Sequence, residues 1–224
     1  HSLSIIYELN KRERSYAMNM LPGSGWILKS NLSYEWNQFM DGFAVSEEYS
    51  TFGANFVSHN TARITAEAER HFTLNKEKKI VATLKGVGGG ISEPDVDDFF
   101  HFFGGGLPGL KGYTFYEESL TGPYYFVGTA ALRLPLFLEQ NYTWAQFNMQ
   151  NLSLGGIFQF GSAIQNSLSE IIEDDHYKLS AGLECRLHGF SFYSYPSAIS
   201  YEYHQPISDL DEQGKHYFTL LFDY

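Results

Sequence analysis

The chain has 224 residues, of which 43% are hydrophobic and 17% aromatic, and its formal net charge is -11 at pH 7. No apolar run approaches the ~18–20 residues of a membrane helix, which excludes a helical membrane protein, and the acidic balance argues against nucleic acid as a partner. The single cysteine, Cys185, excludes an intrachain disulfide and a cysteine-rich metal site.

Polar and apolar residues alternate with a period of two along most of the chain, which predicts β-strands. In residues 61–73, the apolar face holds Ala62, Ile64 and Phe72 and is interrupted only by Arg70. Ten strands are predicted, near residues 3–10, 25–37, 43–58, 61–73, 79–87, 122–137, 151–163, 176–189, 193–204 and 216–224.

Two architectures produce this alternation. In a soluble Tyr-rich β-domain the polar face meets bulk water, whereas in a transmembrane barrel it lines a lumen and the apolar face meets lipid. The predicted strands run to about 9–13 residues, close to a tilted membrane crossing and longer than the roughly five or six of ordinary strands. The 16 Tyr and 19 Phe fit the aromatic girdles of a barrel. We therefore expect an all-β fold, an antiparallel transmembrane β-barrel spanning residues 1–224.

A glycine-rich loop at residues 88–121 leads into the strand near 122–137, and it contains Leu110-Lys111-Gly112-Tyr113. This tetrapeptide resembles the Val/Leu-Arg-Gly-Tyr/Phe element of the BamA/TamA-like bacterial surface-antigen superfamily of outer-membrane barrels. The preceding Asp97-Asp98-Phe99-Phe100-His101-Phe102-Phe103 makes it most similar to the C-terminal barrel of TolB-like propeller proteins. Barrels of this superfamily usually have sixteen strands, so the resemblance implies that these residues are the C-terminal part of a larger barrel.

The resemblance also implies that the loop folds into the lumen, where an Arg meets an Asp on a nearby strand. In this sequence Lys111 stands at the Arg position, followed by Gly112 and Tyr113, and Gln159 stands at the Asp position. Lys with Gln offers a charge-assisted hydrogen bond in place of a bidentate charged pair. Glu184 and Glu202, on neighbouring polar faces, are alternative lumen partners for Lys111.

The end of the chain resembles the assembly signal on the last strand of outer-membrane barrels, with Tyr217, Phe222 and Tyr224 as its aromatic positions. With Tyr224 on the periplasmic side, the long segments 88–121, 164–175 and 205–215 would face outward. The short connections at 75–78 and 189–192 would face the periplasm. A tight turn at His59-Asn60-Thr61 and a longer connection at 38–42 fit this arrangement poorly.

Three other kinds of site were weighed. Asp95, Asp97, Asp98 and His101 could hold a hard cation, but they lack calcium-loop spacing and suit an acidic external loop. The histidines on polar faces form no zinc motif, and no nucleophile elbow or phosphate loop occurs. We therefore expect no catalytic residues, no metal and no cofactor.

The sequence favours a non-enzymatic protein of the bacterial outer membrane, whose partners are outer-membrane lipid and the barrel assembly machinery. The resemblance implies that it anchors a periplasmic domain or partner proteins, with a part in protein insertion or export. A passive outer-membrane pore and a soluble Tyr-rich β-domain are the alternatives.

Overall fold

The computed structural model describes residues 1–13, 23–46, 51–75, 77, 79–93, 98–138, 140–164, 177–192, 195–209 and 211–222. These residues form an antiparallel all-β structure, which confirms the fold class at that level. Their only helical elements are two short 3-10 segments, Asp98–Phe100 and Glu118–Leu120. Within the described part of the chain, no helix is long and apolar enough to cross a membrane.

Ten strands belong to one sheet, in which chain neighbours are also neighbours in space. The sheet order is β1, β2, β3, β4, β7, β9, β10, β11 and β12, and β8 pairs with β9. Two further strands, β5 and β6, pair with each other inside the long loop. The strands are β1 (Ser2–Asn10), β2 (Gly25–Ser46), β3 (Thr51–Asn75), β4 (Ile80–Ile91), β5 (Phe102–Phe103), β6 (Thr121–Gly122), β7 (Tyr124–Phe137), β8 (Tyr142–Trp144), β9 (Phe147–Ile164), β10 (Lys178–Ser191), β11 (Tyr195–Pro206) and β12 (Lys215–Phe222).

In the sheet of a soluble protein the buried face is apolar and the exposed face is polar; in this sheet the two are reversed. One face, here called the inner face, carries buried polar side chains, including those of Ser33, His71, Thr83, Ser153, Gln159, Ser180, Glu184, His188, Ser200, Glu202 and His204. The outer face carries exposed apolar side chains, including those of Leu32, Tyr34, Ile64, Leu84, Leu132, Leu134, Leu154, Phe158, Leu183, Tyr201, Phe218 and Leu220. The charges are therefore sheltered and the apolar rows are open.

The sheet is strongly curled, with the inner face on its concave side. Glu8 of β1 and Arg186 of β10 line the same cavity, although six strand spacings separate them in the sheet order. In a flat sheet six spacings would amount to about 29 Å. The curl stops short of closure, because β1 and β12 do not pair with each other in the described residues.

The first long hairpin differs from the prediction. The proposed separate strands at 43–58 and 61–73 and the turn at His59-Asn60-Thr61 are wrong, because Thr51–Asn75 is one continuous strand. Asn60 sits in the ladder opposite Trp36, and the predicted 38–42 connection lies inside β2 around a bulge between Met40 and Gly42. A polar Asn resembles a turn residue, but here β2 continues alongside it as far as Ser46, which lies opposite Thr51.

The chain has one reversal fewer here than predicted, and the connections after β3 group by length. Before β3 they do not, because the long connection between Asn10 and Gly25 lies at the same end as the short ones, and the short connection between Ser46 and Thr51 lies at the same end as the long ones. The long connections after Ile91, Ile164 and Pro206 all lie at one end of the sheet. The short connections after Asn75 and Ser191 lie at the other end. This is the grouping expected from the sequence. The single helical turn considered near 167–175 falls outside the described residues.

The continuous hairpin can be tested by disulfide trapping. Gln38 and Ser58 are ladder partners, and their side chains lie 3.4 Å apart. In a Cys185→Ser background, the pair Gln38→Cys and Ser58→Cys should oxidise readily, because cross-strand partners meet the distance limits of a disulfide. Gln38→Cys with Val57→Cys, on the opposite face, should not. Failure of the first pair, measured by non-reducing electrophoresis, would contradict the register.

Candidate functional site

The long loop between β4 and β7 folds over the inner face of the sheet. Leu110, Tyr113 and Leu120 are fully buried, and they pack around Val127 with Tyr125 beside them. Phe102 stacks on Tyr125, with ring centroids 4.7 Å apart. The apolar side chains of the loop thus form the small core that the sheet itself lacks on this face.

Lys111 joins this apolar core to the polar inner face. Its backbone N–H donates a hydrogen bond to Gln159 Oε1 at 3.0 Å, and its Nζ donates to Glu202 Oε2. Glu202 is 4% exposed, and its Oε2 also lies 3.0 Å from His204 Nε2. Gln159 in turn donates to Thr129 Oγ1 at 3.0 Å. The loop lysine therefore contacts two of the three residues that the sequence proposed for it.

Gly112 and Tyr113 extend the attachment to two further strands. The backbone N–H of Gly112 donates to Tyr217 Oη of β12 at 2.9 Å, and its φ of +98° is in the region that favours glycine. The Tyr113 hydroxyl donates to the carbonyl of Leu179 in β10 at 2.9 Å. Burial raises the pKa of Tyr113 to about 12, so the phenol remains a proton donor at neutral pH.

Glu184 has different partners. Both of its carboxylate oxygens are used by arginines, with Arg133 Nε at 2.7 Å and Arg186 on the other oxygen. Neither arginine was among the site residues predicted from the sequence. Both arginines lie on the polar phase of predicted strands, and this was the one feature of the sequence that could have indicated them. Their pairing with Glu184 spans three strands, so it cannot be read from the spacing of nearby residues.

The remaining predicted residues divide into three cases. Tyr217, expected as part of an assembly signal, lies on the inner face and accepts the hydrogen bond from Gly112. Phe222 ends β12 in the structure, and Tyr224 lies outside the described residues. Of the acidic loop, Asp95 and Asp97 also lie outside them, and Asp98 Oδ1 is 3.4 Å from His101 Nδ1. Among the described residues no group of three or more potential metal ligands occurs.

Ser180, His204 and Glu202 stand in the order of a hydrolytic triad. Ser180 Oγ lies 3.5 Å from His204 Nδ1, and His204 Nε2 lies 3.0 Å from Glu202. Ser180 is fully buried, and the space above it is filled by Gly112, where an added Cβ would lie 3.3 Å from Ser180 Oγ. With Lys111 already bound to Glu202, the arrangement serves as a hydrogen-bonded attachment point for the loop.

Comparison with family models and with curated proteins finds no match for this chain.

The Lys111–Glu202 contact can be measured by a double-mutant cycle. Lys111→Ala leaves a buried carboxylate without its cation, which should cost about 3–5 kcal/mol. Glu202→Gln alone should also destabilise, whereas Lys111→Met with Glu202→Gln should recover part of the loss. The readouts are thermal unfolding and protease resistance of the loop. The control is Lys178→Ala, whose partly exposed pair with Asp209 should contribute no more than about 1 kcal/mol. Equal effects of Lys111→Ala and the control would contradict the assignment.

Close backbone contacts within the loop require glycine, and a second test replaces one of these glycines. A Cβ at Gly109 would lie 2.0 Å from the carbonyl oxygen of Gly104, so the backbone itself would have to move. Gly109→Ala should therefore lower the stability of the loop by about 2–4 kcal/mol, measured as increased proteolysis within residues 98–122. Gly156→Ala is the matched control, because nothing lies within 4 Å of its added Cβ. Unchanged proteolysis in Gly109→Ala would contradict the packed loop.

Proposed function

We propose that this chain is a membrane-embedded part of a non-enzymatic outer-membrane β-barrel of the surface-antigen type. It anchors a periplasmic domain or partner complex and takes part in protein insertion or export. The loop carrying Lys111, Gly112 and Tyr113 braces the lumen.

The outer face is the observation that carries this proposal. Apolar side chains stand open along successive strands, for example Leu84 at 53%, Leu132 at 41%, Phe158 at 43% and Leu183 at 70% exposure. A soluble protein rarely leaves so continuous an apolar surface uncovered. Hydrocarbon accepts such a surface at no cost, and the sheltered charges on the inner face then never meet it.

The size and layout of the strands support the same placement. A tilted crossing needs about 9–11 residues, and β4, β7, β10 and β11 have 12, 14, 14 and 12. Three long connections, after Ile91, Ile164 and Pro206, lie at the same end of the sheet, as long external loops do in outer-membrane barrels.

The direction of the edge strands favours a larger barrel. Nine strands follow one another in the main sheet order, so β1 and β12 run in the same direction. An antiparallel barrel needs an even number of strands, so closure would take an odd number of further strands. The resemblance implies sixteen strands in all, which meets this condition. Unpaired sheet edges are also where an incoming strand can add, which suits a part in protein insertion.

The first test asks whether the outer face tolerates the replacement of an apolar side chain by a charged one. Leu132→Lys should abolish stable assembly or cost about 2–4 kcal/mol if this face lies in hydrocarbon, but almost nothing if it lies in water. Leu107→Lys, on the exposed loop, is the matched control. The measurement is the amount of protease-resistant protein in the outer-membrane fraction of a Gram-negative host. A Leu132→Lys protein that accumulates like the control would contradict the membrane placement.

Extraction and conductance separate the alternatives in the same preparations. We expect the protein to resist alkaline extraction and to require detergent, whereas a soluble β-domain would be released without it. Because the loop covers the inner face, we also expect little conductance in planar bilayers. Large steady conductance of the wild-type protein would favour a passive pore instead.

A further inference from the structure

A second polar cluster lines the inner face, apart from the groups that hold the loop. It surrounds a cavity of about 520 Å³ bordered by strands from β1 to β10. The lining carries five cationic side chains but only three acids. The cations are Arg12, Lys29, Lys85, Arg133 and Arg186.

The two lysines are electrostatically matched within this lining. Lys29 Nζ lies 3.7 Å from Glu8, and Lys85 Nζ lies 3.2 Å from Glu67. Each pair holds one positive and one negative charge, so neither lysine contributes to an excess of positive charge in the cavity.

The arginines on β7 and β10 are not matched in this way. Arg133 and Arg186 share the single carboxylate of Glu184, which is 2% exposed. Gly155 lies between Arg133 and Glu184 in the ladders and has no side chain to separate them. Two guanidinium ions on one carboxylate leave one positive charge in excess, at the wall of the cavity.

Two buried side-chain nitrogens of the lining have no hydrogen-bond partner among the described residues. One is Arg186 Nε and the other is His71 Nε2. Thr83 Oγ1 accepts from Arg133 at 3.4 Å and lies 3.0 Å from His71 Nδ1; when the hydroxyl donates to Nδ1, the neutral ring carries its proton on Nε2. His71 Nε2 is 3.2 Å from Glu69 but makes no hydrogen bond with it. Buried donors without acceptors are rare in native proteins and call for one.

We propose that this cavity binds a small oxyanion of the phosphate or carboxylate class, held by Arg133 and Arg186 with His71 as a further donor. Guanidinium groups match the paired oxygens of such anions and form strong charge-assisted hydrogen bonds with them. An oxyanion would neutralise the excess charge and accept from Arg186 Nε and from the Nε2–H tautomer of His71. The volume is ample for phosphate with bound waters, since one water takes about 30 Å³. The cavity opens on the inner face, so the ligand is a dissolved anion, and the inference does not depend on what covers the outer face.

The test uses the folded full chain and inorganic phosphate as the probe, at constant ionic strength with chloride as the reference anion. We expect saturable binding by isothermal titration, and a phosphate-dependent rise in the unfolding temperature. Arg186→Gln removes the excess charge while leaving Glu184 paired with Arg133, and it should weaken phosphate binding at least tenfold. Lys178→Gln removes one positive charge from outside the cavity and should bind phosphate as the wild type does.

Two further variants make the result decisive if Arg186→Gln folds poorly. His71→Gln removes the ring and Thr83→Val removes the hydroxyl that can donate to Nδ1 and so favour the Nε2–H tautomer, so both should weaken binding while Glu184 keeps both arginines. Absence of saturable phosphate binding to the wild type would overturn the proposal. So would equal phosphate responses in Lys178→Gln and in all folded cavity variants, because that pattern marks a general salt effect.

Discussion

The ion pair between Lys111 and Glu202 is the interaction on which the rest of the inner face depends. The loop brings a small apolar core to a face that is otherwise polar, and its backbone positions there are set by Lys111 and its two neighbours. Burial makes loss of this contact costly, because a buried carboxylate without its cation is poorly solvated. The pair therefore favours one position of the loop over others, since a shift would leave Glu202 buried with His204 as its neighbour but without the lysine.

The same constraint explains the inverted polarity of the sheet. A curled sheet has no second layer to cover it, so one face must be closed off by its own loop and the other must meet its surroundings. Here the loop covers the polar face along β7 to β12, where Gln159, Glu202 and Tyr217 receive its hydrogen bonds. The apolar face is left open, with Leu, Phe and Tyr side chains extending from most of the strands. Only an apolar environment makes that arrangement favourable, and this links the fold to the proposed place in an outer membrane.

Two clusters of charge share the inner face and differ in their balance. Around Lys111, one cation meets one carboxylate, and His204 completes the contact. Around Glu184, two guanidinium groups meet one carboxylate beside an open cavity. A balanced cluster under a packed loop has a structural role, because it has neither charge nor space for a ligand. An unbalanced cluster facing a cavity has both. The difference in charge count thus separates the attachment of the loop from the proposed anion site.

The sequence by itself determined the alternation and the polar and apolar phases of each strand, because side-chain direction in a strand follows directly from residue order. Lys111, Gly112 and Tyr113 were indicated only by the resemblance of their loop motif. The sequence could not determine where the first hairpin turns, since the ladder opposite Trp36 holds Asn60 where the local sequence favoured a turn. Nor could it choose between Gln159, Glu184 and Glu202, which all lie on polar phases. The tertiary structure decided that choice: Arg133 and Arg186 occupy Glu184, and the loop reaches the other two. Partners on strands far apart in sequence meet only through register and curl, and neither property is written in the spacing of nearby residues.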